Sequence, residues 1–554
     1  MHRRVVLGIV LVLLLVVPLC WGLYRSWELL SLLEEPPALS WRLENGRELY
    51  ARLLGSRAWA TLRSSPALEG FQDGPTGREL ESIRRGLTVV LDDDPIELLV
   101  RSLGRRTHGA LWIRPTGGVA IALVALPEDG TDVADLAKRI AVLAKTNKRI
   151  RMFEVQGMPA VDLGGDALVL GNGVIALASS DEMAARVARE WKERVTGGEP
   201  SPARLHLELD PRVAQLAKAG PAEGLDGVLS LILAGGVARS LRESKQVTAN
   251  LDPLEGGVRF ELRMDAGLDA FDDRNRQIYA PSMRAPAPVA HSEILRVEFA
   301  RDLDVLWQDR VALISPETIQ VLGHLEDMLE SPAIFRGVFS GLEPGITLQV
   351  APQNWDTDWP APESPFPGVV ISARMRDPER HASRFTRAFG AFVELANEDP
   401  ADPHQPPLLL GEVVGIEGVQ LLRARFAAPP AGGPRIPDVM RNLTPSLGHR
   451  GPALALASSA SLAREILVEA PAPLVPNIPR DTLQIDARNL EAAMRAARVA
   501  VVQSRVEQGI PLDRAEQDVD ALLAILGTLQ SLNAEIAYLD GETRIGVELR
   551  ERSP

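Results

Sequence analysis

Cysteine is almost missing: Cys20 stands alone in 554 residues, inside a hydrophobic run. No disulfide can form within the chain, and no cysteine-ligated zinc site can be assembled. Lysine is scarce too, with six residues (Lys138, Lys145, Lys148, Lys192, Lys218 and Lys245) among 60 basic side chains. With abundant Ala, Gly and Pro, this bias reads as GC-rich bacterial coding. It does not read as a guanidinium site, because the arginines do not cluster. The eight histidines (His2, His108, His206, His291, His324, His381, His404 and His449) include no pair three or four apart. A helical metal-ligand pair is thereby missing. Surplus positive charge is also lacking: the formal net charge is −14, which opposes binding to nucleic acid through bulk charge. No Gly-x-Ser-x-Gly elbow surrounds the paired serines Ser179-Ser180 and Ser458-Ser459, so a nucleophilic role has no local support. Asp92-Asp93-Asp94 lacks the alternating oxygen ligands and glycine turn of a calcium loop. Those acids read as an acidic lead into a helix.

What the chain does have is a long apolar opening. Residues 5–24 read VVLGIVLVLLLVVPLCWGLY. Twenty helical residues rise about 30 Å, the thickness of a bilayer's hydrocarbon core. Val, Leu and Ile in that stretch favour insertion by about 4–8 kcal/mol at most. Arg3 and Arg4 precede it, while Trp21 and Tyr24 close it, as suits the two membrane interfaces. The expectation is an uncleaved anchor with the N-terminus cytoplasmic and the bulk of the chain periplasmic or otherwise extracytoplasmic. A lipoprotein attached through Cys20 is the second reading, although Leu19 fits poorly before it; a cleaved signal peptide is the third. Residues 25–39 read as a juxtamembrane stalk ended by Pro36-Pro37.

Beyond the stalk the sequence resembles itself. Val174-Ile-Ala-Leu-Ala-Ser-Ser180 and Ala453-Leu-Ala-Leu-Ala-Ser-Ser459 share a strand-then-serine pattern. Ser65-Pro66-Ala67 is echoed by Ser331-Pro332-Ala333, and Leu136, Ile140 and Leu143 by Phe385, Phe389 and Phe392. Period-two alternation predicts strands around 110–126, 205–209 and 247–263, with tight turns at Gly157 and at Gly171-Asn172-Gly173. A 3.6-residue stripe predicts a helix over 132–146, and another helix lies within 225–243. Ser179, with Glu182 three residues on, reads as an N-cap with a capping box.

The predicted fold class is therefore α+β: a transmembrane helix, then two tandem, diverged copies of a mainly antiparallel sheet-plus-helices module. The boundaries are 1–4 cytoplasmic stub, 5–24 anchor, 25–39 stalk, 40–265 first copy, 266–290 linker and 291–554 second copy.

The anchor, the Ser-Pro-Ala segments and the strand–Ala-Ser-Ser–helix unit together resemble an uncharacterised family of N-terminally anchored bacterial envelope proteins of unknown function. The resemblance implies extracytoplasmic placement and no particular activity.

One loop stands out for binding. Asn354-Trp355-Asp356-Thr357-Asp358-Trp359-Pro360 sets Trp355 and Trp359 beside Asp356 and Asp358, a combination that could clasp a sugar or a partner chain. The plainer reading folds the indoles back onto the sheet. The sequence supports no catalytic residue, cofactor or metal ligand. The expected function is a non-enzymatic interaction or assembly role in the bacterial envelope, with the lipid bilayer and an envelope protein as partners. The alternatives are a carrier of a lipid or other apolar ligand, and a degenerate enzyme or inhibitor.

Overall fold

The computed structural model describes residues 36–553 apart from 58–59, 62–99, 102–103, 114–118, 128–132, 147–150, 163–165, 172, 198–201, 211–223, 287, 289, 329–333, 356–360, 399–405, 412–413, 417, 428–437 and 469–472. The apolar run 5–24, with Arg3, Arg4, Trp21 and Tyr24, lies outside the described residues. So do Cys20, Asp92-Asp93-Asp94 and both Ser-Pro-Ala segments. Among the described residues, no helix is long and apolar enough to cross a membrane.

The predicted fold class needs correction. The described strands do not close into two separate tandem modules. Apart from one two-stranded ribbon, they belong to a single 21-stranded network with helices. Contacts divide the chain into two compact units that interleave along the sequence. The first holds residues up to 217, 244–263 and 550–554; the second holds 218–243 and 264–549. Period-two patterning finds strands reliably but says nothing about which strand each edge will pair with, and that choice decides the number of sheets.

In the first unit, strand Leu39–Glu44 lies between Arg106–Ile113 and Arg204–Leu209, antiparallel to both, and Val247–Leu254 pairs with the latter. Alternation gives this sheet two chemically opposite faces. Trp41, Leu43, Leu205 and, from helix Gly46–Gly55, Leu49 build a core on one side. Ser40, Arg42, Glu44, His108 and His206 alternate with them. Past Arg106–Ile113 the sheet continues through Val119–Leu126, Val174–Ala178, Ala167–Gly171, Met158–Asp162 and Arg151–Val155. The last hairpin turns at Gln156 (φ 53°) and Gly157 (φ 80°), two successive left-handed residues as the tightest hairpins require.

Helix Asp181–Glu190 packs Met183, Ala184, Val187 and Ala188, all with no exposed surface, on Ala120, Ala122, Val124 and Val169. Small residues on both sides let helix and sheet approach closely. Full burial of Met183 and Val187 contributes roughly 1.5–3 kcal/mol each. On the other face, helix Val133–Thr146 seats Val133, Leu136 and Ala137 against Ala125, Leu170 and Ile175.

In the second unit, strands Ile346–Ala351, Gly368–Arg374, Ala453–Ala457, Ser446–Arg450 and Val419–Phe426 pair in that order. Leu295–Phe299 joins Ile346–Ala351 to Arg480–Asp486, which pairs with Leu529–Tyr538. Helix Ala460–Leu467 and helix Pro378–Glu398 supply Leu462, Ile466, Phe385 and Phe389 to two cores.

Residues 266–290, read from the sequence as a linker, carry helix Asp273–Tyr279 and bury Phe271, Ile278 and Tyr279 beside Leu306 and Tyr538. Helix Gly224–Glu243 belongs to the same unit and packs Ile232 and Val237 there. Its Gly235-Gly236 pair admits two tyrosines: a Cβ on Gly235 would stand 2.0 Å from the Tyr279 hydroxyl, and one on Gly236 2.7 Å from that of Tyr538. Arg301, with no exposed side-chain surface, forks onto Asp481 at 2.8 and 2.6 Å and donates to the carbonyl of Ile232 at 2.7 Å.

Candidate functional site

Across the polar face of the first unit's sheet, strand register sets Arg42 opposite His108 on one side and His206 on the other. Ser40 stands opposite Ala110 and Glu208 in the same way. Helix Asp181–Glu190 ends at Trp191, and the short helix Lys192–Thr196 follows directly. That turn brings Trp191 and Arg194 onto the polar face next to His108.

The contacts there are specific. Arg194 Nη1 and His108 Nε2 are 2.8 Å apart. A guanidinium only donates, so Nε2 accepts and the neutral ring carries its proton on Nδ1. Nδ1 is buried and has no hydrogen-bond partner among the described residues. The His108 and Trp191 rings meet edge-on, 5.0 Å between centroids, and Trp112 lies 6.2 Å beyond Trp191. The Arg194 guanidinium rests 4.5 Å over the Trp191 ring, within cation–π reach.

Burial, and then the charges of Arg194 and Arg42, hold the His108 imidazole down at about 4. Arg194 is itself lowered, by burial and by Arg42, against the opposing pull of Glu190.

A cavity of about 400 Å³ opens beside this group. Its walls include Trp112, Trp191, Glu208, Asp210 and Lys245. The Glu208 carboxylate accepts from the Gln246 amide at 2.9 Å. A smaller cavity of about 220 Å³ lies by the buried Glu44–Arg106 ion pair, whose members are 2.7 Å apart. The larger site can hold and orient a small molecule through one fixed guanidinium, two indoles and carboxylates. Among the described residues, no group of three or more His, Cys, Asp or Glu could hold a metal ion.

Of the binding loop expected from the sequence, Trp355 is half-buried with its Nε1 unpartnered among the described residues. Asp356, Asp358 and Trp359 lie outside them. The structure therefore does not bring that quartet together or separate it.

The paired serines have structural work. Ser180 caps helix Asp181–Glu190 by accepting from Met183 N at 3.1 Å, and Ser459 accepts from Leu462 N at 3.4 Å. Ser179 accepts from Ile121 N at 3.0 Å, and Ser458 from Val369 N at 2.9 Å. The cap is thus Ser180, one residue beyond the expected Ser179, because Ser179 is taken by the neighbouring strand. Glu182 then sits too early to complete a capping box. In the sequon Asn442-Leu443-Thr444, Asn442 is 4% exposed and its side chain binds Phe366 N and Ser364 O.

Sequence reasoning missed His108, Trp191 and Arg194. The signal was present in the alternation of Arg42, His108, His206 and Glu208 with Trp41, Leu43, Leu205 and Leu207. Charged residues alternating inside strands mark a face with work other than core packing.

No protein-family model and no curated protein matches the chain. Among solved structures, crystal form IV of TP0453 aligns over 42% of this chain and 77% of its own, at 6% identity and a TM-score of 0.23. Crystal form III of TP0453 aligns over 44% and 80%, at 7% identity and a TM-score of 0.24. Identities and scores this low assign neither fold nor function.

Proposed function

We propose that the chain is a non-enzymatic binding protein of the bacterial envelope, whose cavity beside His108, Trp191 and Arg194 receives a ligand or a partner's side chain. The observation that carries this reading is how the site's chemistry is already committed. The basic nitrogen of His108 accepts from Arg194, and the ring stays neutral down to about pH 4. The hydroxyls of Ser179 and Ser458 accept backbone N–H bonds. What stays available is recognition: a fixed guanidinium at the rim of an aromatic-walled cavity.

Placement in the envelope is supported by the apolar run 5–24 and by Arg3 and Arg4. They would hold the chain at the cytoplasmic membrane with its bulk outside, and attachment through Cys20 is the alternative. The likeness to anchored envelope proteins of unknown function belongs to the same reading.

Two measurements test it. A broad hydrolase screen of the purified protein should give no turnover; turnover abolished by His108→Gln would refute the reading. A C-terminal reporter should be active only outside the cytoplasm.

A further inference from the structure

We propose that the cavity beside Arg194 is an anion site, taking a phosphate or carboxylate carried on a small organic body. This rests on the binding reading above and names the ligand's chemistry.

The argument starts from how Arg194 is held. Several arginines of this unit are matched with acids: Arg52 with Glu48, Arg139 with Asp135, Arg186 with Glu190 and Arg204 with Asp252. Arg194 is fixed by two uncharged partners instead. Nη1 donates to His108 Nε2, and the guanidinium plane rests over Trp191. Neither partner neutralises it, and among the described residues no carboxylate oxygen lies within 4.0 Å of it.

Pinning a guanidinium costs side-chain entropy. Here that cost leaves a planar fork with unused N–H donors at the rim of a cavity, and such a fork fits the paired oxygens of a carboxylate or phosphate.

Arg42, opposite His108 in the register, adds a second positive charge; it bears on both His108 and Arg194. An anion placed there relieves the repulsion between the two arginines. The cavity's own acids do not fill that role. Glu208 is engaged by Gln246, and it stands two residues along the strand from His206, which shares the Arg42 row with His108. Trp112 and Trp191 in the cavity wall give the organic body an apolar surface.

The test uses the full chain. Calorimetric titrations with phenyl phosphate, inorganic phosphate and phenol are run alongside flotation with phosphatidylglycerol and phosphatidylcholine vesicles. Phenyl phosphate should bind one to one, at least tenfold more tightly than phenol. Arg194→Gln should weaken it tenfold or more, and Arg42→Gln about threefold. Arg186→Gln, whose arginine is already paired, should leave it unchanged. Arg42 is exposed, so its variant keeps the test decisive if Arg194→Gln does not fold.

Arginine-dependent flotation with phosphatidylglycerol alone, without phenyl phosphate binding, would also support the site and identify the anion as a lipid headgroup. Phenol binding as tightly as phenyl phosphate, in wild type and Arg194→Gln alike, would overturn the anion proposal while leaving a binding protein. No binding of phenyl phosphate or phosphate and no arginine-dependent flotation would overturn the anion proposal, and the binding reading would then rest on the hydrolase and reporter measurements above. Release of phenol from phenyl phosphate would keep the anion site and remove the non-enzymatic reading.

Discussion

His108 is 8% exposed and protonates only near pH 4, against 6.5 when free. The unfolded chain therefore takes up a proton on His108 as pH falls through 6.5, while the folded chain does not until about 4. Stability must fall across that window, by about 3 kcal/mol at its foot for this group. Denaturant unfolding at pH 7 and pH 4 should show that loss, and His108→Gln should remove most of it. A His108 imidazole resonance titrating near 6.5 would contradict the burial argument.

Arg301 offers the complementary case. Asp481→Asn leaves its charge buried without a counter-ion, which costs about 3–5 kcal/mol. A midpoint shift worth less than 1 kcal/mol would mean that the carbonyls of Ile232, Leu233 and Ala300 suffice for it.

Helix starts and hairpins show which elements could be read in advance. Ser180 and Ser459 each satisfy one orphan N–H at the first turn of a helix buried against the sheet. Replacing either with Ala should cost about 1 kcal/mol, within a range of roughly 0.5–2. A loss below 0.3 kcal/mol in both, by chemical denaturation, would show that the caps are redundant.

The Gly157 turn and the helix Val133–Thr146 were legible because glycine demand and the 3.6 period are local signals. The cap was misplaced by one residue because Ser179 answers to Ile121, 58 positions away. Site residues were hidden for the same reason. His108 and Arg194 are 86 apart in sequence, and Arg42 joins them only through strand register. Each looks like an ordinary surface residue until the strands pair.

At the scale of the molecule, contact rather than chain order defines the units. Helix Gly224–Glu243 precedes strands Val247–Leu254 and Gly257–Met264, yet it belongs with residues that follow them. Its backbone carbonyls at Leu231, Ile232 and Leu233 accept from Tyr279 and Arg301, and Ser240 bonds Thr543 at 2.7 Å. The sequence could mark this helix but not its destination, since its near-uniform apolarity (Val228, Leu229, Leu231, Ile232, Leu233) specifies no single buried face. A fragment ending at residue 265 would carry the helix without Phe271, Tyr279, Leu306 and Tyr538, the rings and side chains that Ile232 and Val237 pack against. Such a fragment should expose an apolar helix and bind a hydrophobic dye strongly, with helix amides unprotected from hydrogen exchange. Adding Leu233→Glu and Leu229→Glu, at positions already exposed in the full chain, should restore its solubility without restoring protection. A monomeric fragment whose residues 224–243 exchange as slowly as in the full chain would show that the helix finds its fold without the second unit's core.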